Sequence, residues 1–139
     1  IPRTLLSART GEPMQLHGGG HSVRAFIHIK DVVRATLQLA LEGEPGSTWH
    51  LSTQDSCSIR ELVEQICTLA GADFDALVQS SDERLGKDQS YLLESSAMRQ
   101  VHDWTDQISL QEGIQETLAW VDANLCTLKT LPWSYQHKS

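Results

Sequence analysis

The chain has 139 residues, 40% hydrophobic and 21% charged, which suits one ordinary globular domain with a core of its own. Eleven Lys and Arg against 18 Asp and Glu leave a net charge of −7. That balance argues against binding to nucleic acid, and no Lys/Arg run supplies a local footprint. No apolar stretch approaches the roughly 18 residues of a membrane helix, and no signal-peptide pattern opens the chain. Residues 2–9 read as a helix, with Pro2 in its first turn and Gly11 as its stop. Met14 to His17 is a short extended run closed by Gly18-Gly19-Gly20, a loop that must turn sharply or approach something closely. Val23 to Ile29 reads as a strand on which Arg24, Phe26 and His28 share a face. Asp31 then caps a helix with Val33, Leu37 and Leu41 on one side, ending near Gly43. Thr48 to Leu51 reads as a second short strand.

Ser58-Ile59-Arg60-Glu61 is a capping box, opening a helix whose apolar stripe is Ile59, Leu62, Val63, Ile66 and Leu69, with Gly71 as its end. Leu77 to Ser80 reads as extended, Asp82 to Gln89 as a charged loop around Gly86, and Ser95 to Val101 as a short helix. Ser109-Leu110-Gln111-Glu112 is a second capping box, with Leu110, Ile114, Leu118, Val121 and Leu125 turned inward. Residues 1–126 form the domain and 127–139 a weakly structured tail. The expected fold is α/β, a small mixed lobe of few short strands, about four, with about five helices. The opening Ile1-Pro2-Arg3 lacks a Met and is helical by Thr4, which reads as a piece of a longer protein.

Several chemistries fail on their partner motifs. His17-Gly18-Gly19-Gly20 imitates an oxyanion loop, but no Gly-x-Ser-x-Gly elbow accompanies it. The same glycines lack the G-x-G-x-x-G spacing of a dinucleotide site. His17, His21 and His28 show no metal-ligand spacing, and no metal is expected. Cys57, Cys67 and Cys126 are odd in number and widely spaced, so they read as reduced, small core residues of a cytoplasmic protein. Arg24, between apolar neighbours and after a glycine loop, suits a bidentate phosphate contact. It equally suits a structural ion pair at a strand edge. Arg84 and Lys87 in the Gly86 loop form a second cationic spot with the same two readings.

The run G-x-G-x-x-x-R-x-F-I-H-I-x-D-V from Gly18 to Val32 resembles the carboxyl-terminal half of extended short-chain dehydrogenases that act on nucleotide sugars. Trp49-His50-Leu51-Ser52 stands where that NAD-dependent epimerase/dehydratase family carries "[YW]-N-[IL]-G". Ser58 to Glu61 answers to its capped helix, and Trp104 to Ile114 to its "[LV]-G-W-x-x-x-x-[SF]-[LF]-x-E-G-[IL]" ending. Arg84-Leu85-Gly86-Lys87-Asp88-Gln89-Ser90-Tyr91 is most similar to the "R-[PL]-G-[HK]-D-x-R-Y" loop of its dTDP-glucose 4,6-dehydratases; 4-epimerases and UDP-glucuronate decarboxylases are the alternatives. The resemblance implies the substrate-binding lobe of an extended Rossmann-type enzyme, taking a small-molecule nucleotide sugar. It implies that Arg24 and Arg84 bind the pyrophosphate or nucleotide, with Lys87 beside them. Gln15 and His17 would lie along the nucleobase, and His50 takes the family's Asn position. Ala25 replaces the family's Asp after the Arg. The resemblance further implies that NAD is bound by an N-terminal domain outside this chain, which also carries the catalytic Tyr-x-x-x-Lys. Tyr135-Gln136-His137-Lys138 is one residue too short to be that motif. No catalytic residue is therefore assigned here, the chain alone is not expected to turn over, and the whole protein is expected to be a homodimer. A non-catalytic binding or assembly module is the competing class.

Overall fold

A computed structural model describes residues 1–83, 86 and 88–132. The chain runs α1 (Pro2–Thr10), β1 (Met14–His17), a 3-10 turn (Gly18–Gly20), β2 (Val23–Arg24), α2 (Ile29–Glu42), β3 (Cys57–Ser58) and α3 (Ile59–Ala70). It continues through α4 (Phe74–Leu77), β4 (Val78–Ser81), β5 (Ser90–Tyr91), α5 (Ser96–His102) and α6 (Leu110–Leu128). The class is mixed α/β, as the alternation of elements implies, with short strands in two small sheets. One sheet pairs β1 with β4 in parallel, Met14 opposite Val78 and His17 opposite Ser81. The other has the order β3-β2-β5, antiparallel on one side of β2 and parallel on the other.

Both capping boxes form. The Ser58 and Ser109 hydroxyls each accept the N3 amide while Glu61 and Glu112 reach back to the cap amides, at 2.7 and 2.9 Å. These reciprocal bonds satisfy amides that helix geometry otherwise leaves unpaired. The caps fix the registers of α3 and α6, so their stripes meet. Leu62, Ile66 and Ala70 of α3 pack with Ile114, Leu118 and Val121 of α6 around Leu5 of α1. Arg9 ties the three helices from outside: its Nε and Nη2 donate to the two Asp122 carboxylate oxygens at 2.6 and 2.9 Å, and its Nη1 to Ala70 O at 2.6 Å. A second cluster of Leu16, Val63, Cys67 and Leu77 fastens the β1·β4 pair to α3.

Four expectations are corrected. Only Val23 and Arg24 join a ladder; the chain leaves the sheet at Ala25, and α2 starts at Ile29 with His28 as its cap. His28 Nδ1 accepts from Lys30 N, so Asp31 is not the cap. Asp31 is instead fully buried, because its two carboxylate oxygens accept the amides of Gln107 and Ile108 at 3.1 and 3.0 Å. That bond turns the Asp31/Ala35 side of α2 inward and leaves Val33, Leu37 and Leu41 outside, at 57%, 61% and 77% exposure. The helix is apolar on two sides, and periodicity alone cannot choose between them. Thr48 to Leu51 finds no strand partner among the described residues; Trp49 and Leu51 pack half-buried beside Ala35, Met98 and Trp104. Finally, Cys126 is exposed on α6, whereas Cys67 is buried and Cys57 half-buried. Burial pushes the thiols of Cys57 and Cys67 up from their ordinary value, with Glu61 adding to the first and Asp73 and Glu64 to the second.

Candidate functional site

The glycine turn is the hinge of the site. Gly18, Gly19 and Gly20 all take positive φ, at 56°, 65° and 75°. A Cβ on Gly20 would lie 2.9 Å from both the Arg60 amide and Leu16 Cδ1, so the turn is pressed onto the start of α3. It delivers β2 directly after β1. It does not open a helix, so no N-terminal array of amides forms there to cradle a pyrophosphate. The glycine run therefore does not fit NAD.

Arg24 ends β2 with its guanidinium held by the main chain. Nη1 donates to Val23 O at 2.6 Å and Nη2 to Asp88 O at 2.8 Å. The ladder Arg24↔Tyr91 and the bond from Val23 N to Gln89 O at 2.8 Å bring the end of the Gly86 loop to this strand. The structural ion pair of the second sequence reading is not what holds Arg24: these partners are carbonyls, not a carboxylate. Arg84 and Lys87 lie outside the described residues.

Gln15 and His17 sit on β1. Gln15 Nε2 donates to Gln79 Oε1 at 2.9 Å, and His17 Nδ1 lies 2.8 Å from Ser81 Oγ. Both line a cavity of about 430 Å³ with Arg3, Thr4, Ser7, Pro13 and Met14. His50 is exposed in the 48–51 segment, and no hydrogen bond or ion pair joins it to Arg24, Gln15 or His17. The structure thus gathers Gln15 with His17, and Arg24 with the end of the Gly86 loop, while His50 stands apart.

Sequence reasoning missed a polar cluster next to Ala25. A cavity of about 310 Å³ is lined by Ala25, Ser52, Thr53, Gln54, Ser56, the run Leu92 to Ser96, and Arg99. Arg99 Nη2 donates to Ser52 O at 2.8 Å and to Asp106 Oδ1 at 2.7 Å, and its guanidinium carbon stands 5.1 Å from the Trp104 ring centroid. Burial alone would push the Asp106 carboxyl up, but hydrogen bonds from Arg99 and Thr53 prevail and hold it below the usual carboxylate range. Arg99 Nε is buried without a partner among the described residues. The available sequence signal was an Arg on the inner side of the short α5 helix, four residues after Ser95, on the same face.

Comparison with known proteins agrees with the mixed α/β fold. Residues 1–52 match the model of the NAD dependent epimerase/dehydratase family. The chain is similar to that family over this part. It is 25% identical over 130 residues to dTDP-glucose 4,6-dehydratase of Escherichia coli, covering 86% of this chain and 36% of that protein. A trifunctional UDP-glucose 4,6-dehydratase/3,5-epimerase/reductase of Arabidopsis thaliana is 27% identical over 124 residues, covering 89% of this chain and 18% of that protein. The crystal structure of a dTDP-glucose 4,6-dehydratase from Streptomyces venezuelae with NAD bound superposes with a TM-score of 0.85 at 25% identity, over 91% of this chain and 39% of that one. The chain therefore spans less than two-fifths of the length of these relatives.

Proposed function

We propose that residues 1–126 are the nucleotide-sugar-binding lobe of an NAD-dependent dehydratase acting on dTDP-glucose or a closely similar sugar nucleotide, with 127–139 as a tail. NAD and the acid/base Tyr and Lys come from a part of the polypeptide outside this chain, and the chain alone turns over no substrate. The observation that carries the reading is the tethering of Arg24. A guanidinium has five N–H donors, and two carbonyls take two of them. The remaining donors are held in a fixed plane beside the Gly86 loop. A planar cation oriented in advance binds a pyrophosphate with less ordering cost than a free side chain. Arg84 and Lys87 act with it from that loop, Gln15 and His17 face the nucleobase from the β1 cavity, and His50 contacts the ligand from the 48–51 segment. The whole protein is a cytoplasmic homodimer in this reading.

Calorimetry of the complete polypeptide with dTDP tests it. Arg24→Ala removes a charge-assisted contact of about 1.5–3 kcal/mol and should weaken binding about ten- to a hundredfold. Arg24→Lys should recover part of that loss. Incubation with dTDP-glucose and, in parallel, UDP-glucose should yield a 4-keto-6-deoxy product from one of them. Unchanged affinity in Arg24→Ala would sink the assignment, and absence of any nucleotide-sugar binding would favour an assembly module.

A further inference from the structure

We propose that the cavity lined by Ala25 and Arg99 is a second binding site, for a small hydroxycarboxylate. The inference stands apart from the function proposed above and from the pyrophosphate contact of Arg24. Its centre is the Arg99 guanidinium. That side chain is 14% exposed, so its charge is largely withdrawn from water. A guanidinium carries five N–H donors. The two on Nη2 donate to Ser52 O at 2.8 Å and to Asp106 Oδ1 at 2.7 Å. The Nε N–H is buried without a described partner, and Nη1 makes no hydrogen bond to a described residue. Buried donors of this kind ordinarily have acceptors, and a withdrawn cation most of all. Asp106 supplies one carboxylate oxygen but does not line the cavity, so the cation meets the cavity without a carboxylate bonded to it on that side.

Two further residues define the ligand. Ala25 lines the same cavity, at the place where the sequence pattern that this chain resembles has Asp. An aspartate there would send its own carboxylate toward the space that Arg99 faces; the alanine methyl leaves room for a carboxylate from outside. The cavity holds about 310 Å³. At about 30 Å³ per water, that is ample for an acid of about three or four carbons. Glu94, exposed on the cavity wall, sets the charge. Hydrogen bonds from the Ser96 backbone and side chain, with a smaller share from the charge of Arg99, hold its carboxyl below the usual range. Ionised at neutral pH, it repels a second carboxylate or a phosphate dianion but accepts a hydroxyl. Ser52, Ser56 and Gln54 add hydroxyl and amide groups to the same wall. One carboxylate for Arg99 and one or more hydroxyls for Glu94 and its neighbours match this arrangement.

Calorimetry of the complete polypeptide with sodium glycerate tests the site, with glycerol as the neutral counterpart and malonate as the dianion. Glycerate should bind at least about tenfold more tightly than either. No glycerate binding up to about 50 mM, or equal binding of glycerol, overturns the inference. Ala25→Asp puts a carboxylate into the cavity and should weaken glycerate at least about tenfold while raising the melting temperature. Unchanged affinity in that variant would place the acid elsewhere and overturn the inference. Glu94→Gln, a change at an exposed side chain, keeps the test decisive if Ala25→Asp fails to fold. It should bring malonate to within about threefold of glycerate, and undiminished discrimination counts against the site. Excess inorganic pyrophosphate should leave glycerate bound; displacement would put the acid on Arg24 and overturn the inference.

Discussion

Asp31 is the polar group on which the position of α2 most depends, and its removal is the sharpest stability test. Its carboxylate is fully buried, accepts two amides of the 107–108 segment at 3.1 and 3.0 Å, and pairs with Arg34 Nη2 at 2.9 Å. Its own carbonyl accepts Trp104 Nε1 at 3.3 Å, a bond that any side-chain replacement leaves in place. Hydrogen bonds to a charged group contribute about 1.5–3 kcal/mol each. Arg34 is 39% exposed and can rehydrate, so its share is small. Asp31→Ala should therefore cost about 3–5 kcal/mol, within the range for removing one partner of a buried charge pair. At about 3 °C per kcal/mol for a chain of this size, the melting temperature should fall by about 9–15 °C. Asp31→Asn keeps one acceptor but points an amide NH2 at a backbone N–H, so about 2–3 kcal/mol should be lost. Urea titration followed by circular dichroism measures both. A cost below about 1 kcal/mol for the alanine variant would show that the buried carboxylate does not hold α2 to the 105–108 segment.

Other variants probe separate features. Gly20→Ala would set a Cβ 2.9 Å from the Arg60 amide at a φ of 75°, so it should lower the melting temperature by several degrees, whereas Gly11→Ala, with an open site, should cost less. Asp103 ends α5 at a φ of 48°, the only non-glycine described residue with positive φ. Asp103→Gly should accordingly be neutral or stabilising by up to about 1 kcal/mol in a thermal melt. Hydrogen bonds from the Ser58 backbone and side chain lower the Glu61 carboxyl, and those from the Ser109 side chain and backbone lower Glu112. Groups lowered in the folded state stabilise it above their unfolded value, near 4.3, and lose that contribution as pH falls through the folded value. The melting temperature should be level from pH 7 to about 5 and drop below about 4.3, with a shallower drop in the double variant Glu61→Gln/Glu112→Gln.

Local chemistry was readable and remote pairing was not. The Ser-x-x-Glu boxes placed the starts of α3 and α6 to the residue because a cap is a contact between neighbours in sequence. Gly11 and Gly71 closed α1 and α3 for the same reason. Phe26 and Ile27 carried strand propensity, yet the ladder stops at Arg24 because its partners, Cys57 and Tyr91, are fixed by distant turns. The inward side of α2 was decided by amides 76 and 77 residues away from Asp31. At the site, Arg24 stood out from its residue type and surroundings, but its carbonyl partner at Asp88 is 64 residues distant. The Arg99–Asp106–Ser52 cluster spans three segments, and no single one of them carries a motif.

The clamp of Arg9 on Asp122 joins residues 113 apart, and Leu5 shares its cluster with Val121. During synthesis at about 5–20 residues per second, roughly 6 to 20 s separate the two partners. Throughout that interval α1 can rest on α3, which emerges earlier, but the side owed to α6 stays open to water. The final helix is thus the step that seals the lobe, and a ribosome stalled before residue 114 would hold a nascent chain whose central residues, Leu5 and Ile66, still lack half of their cover.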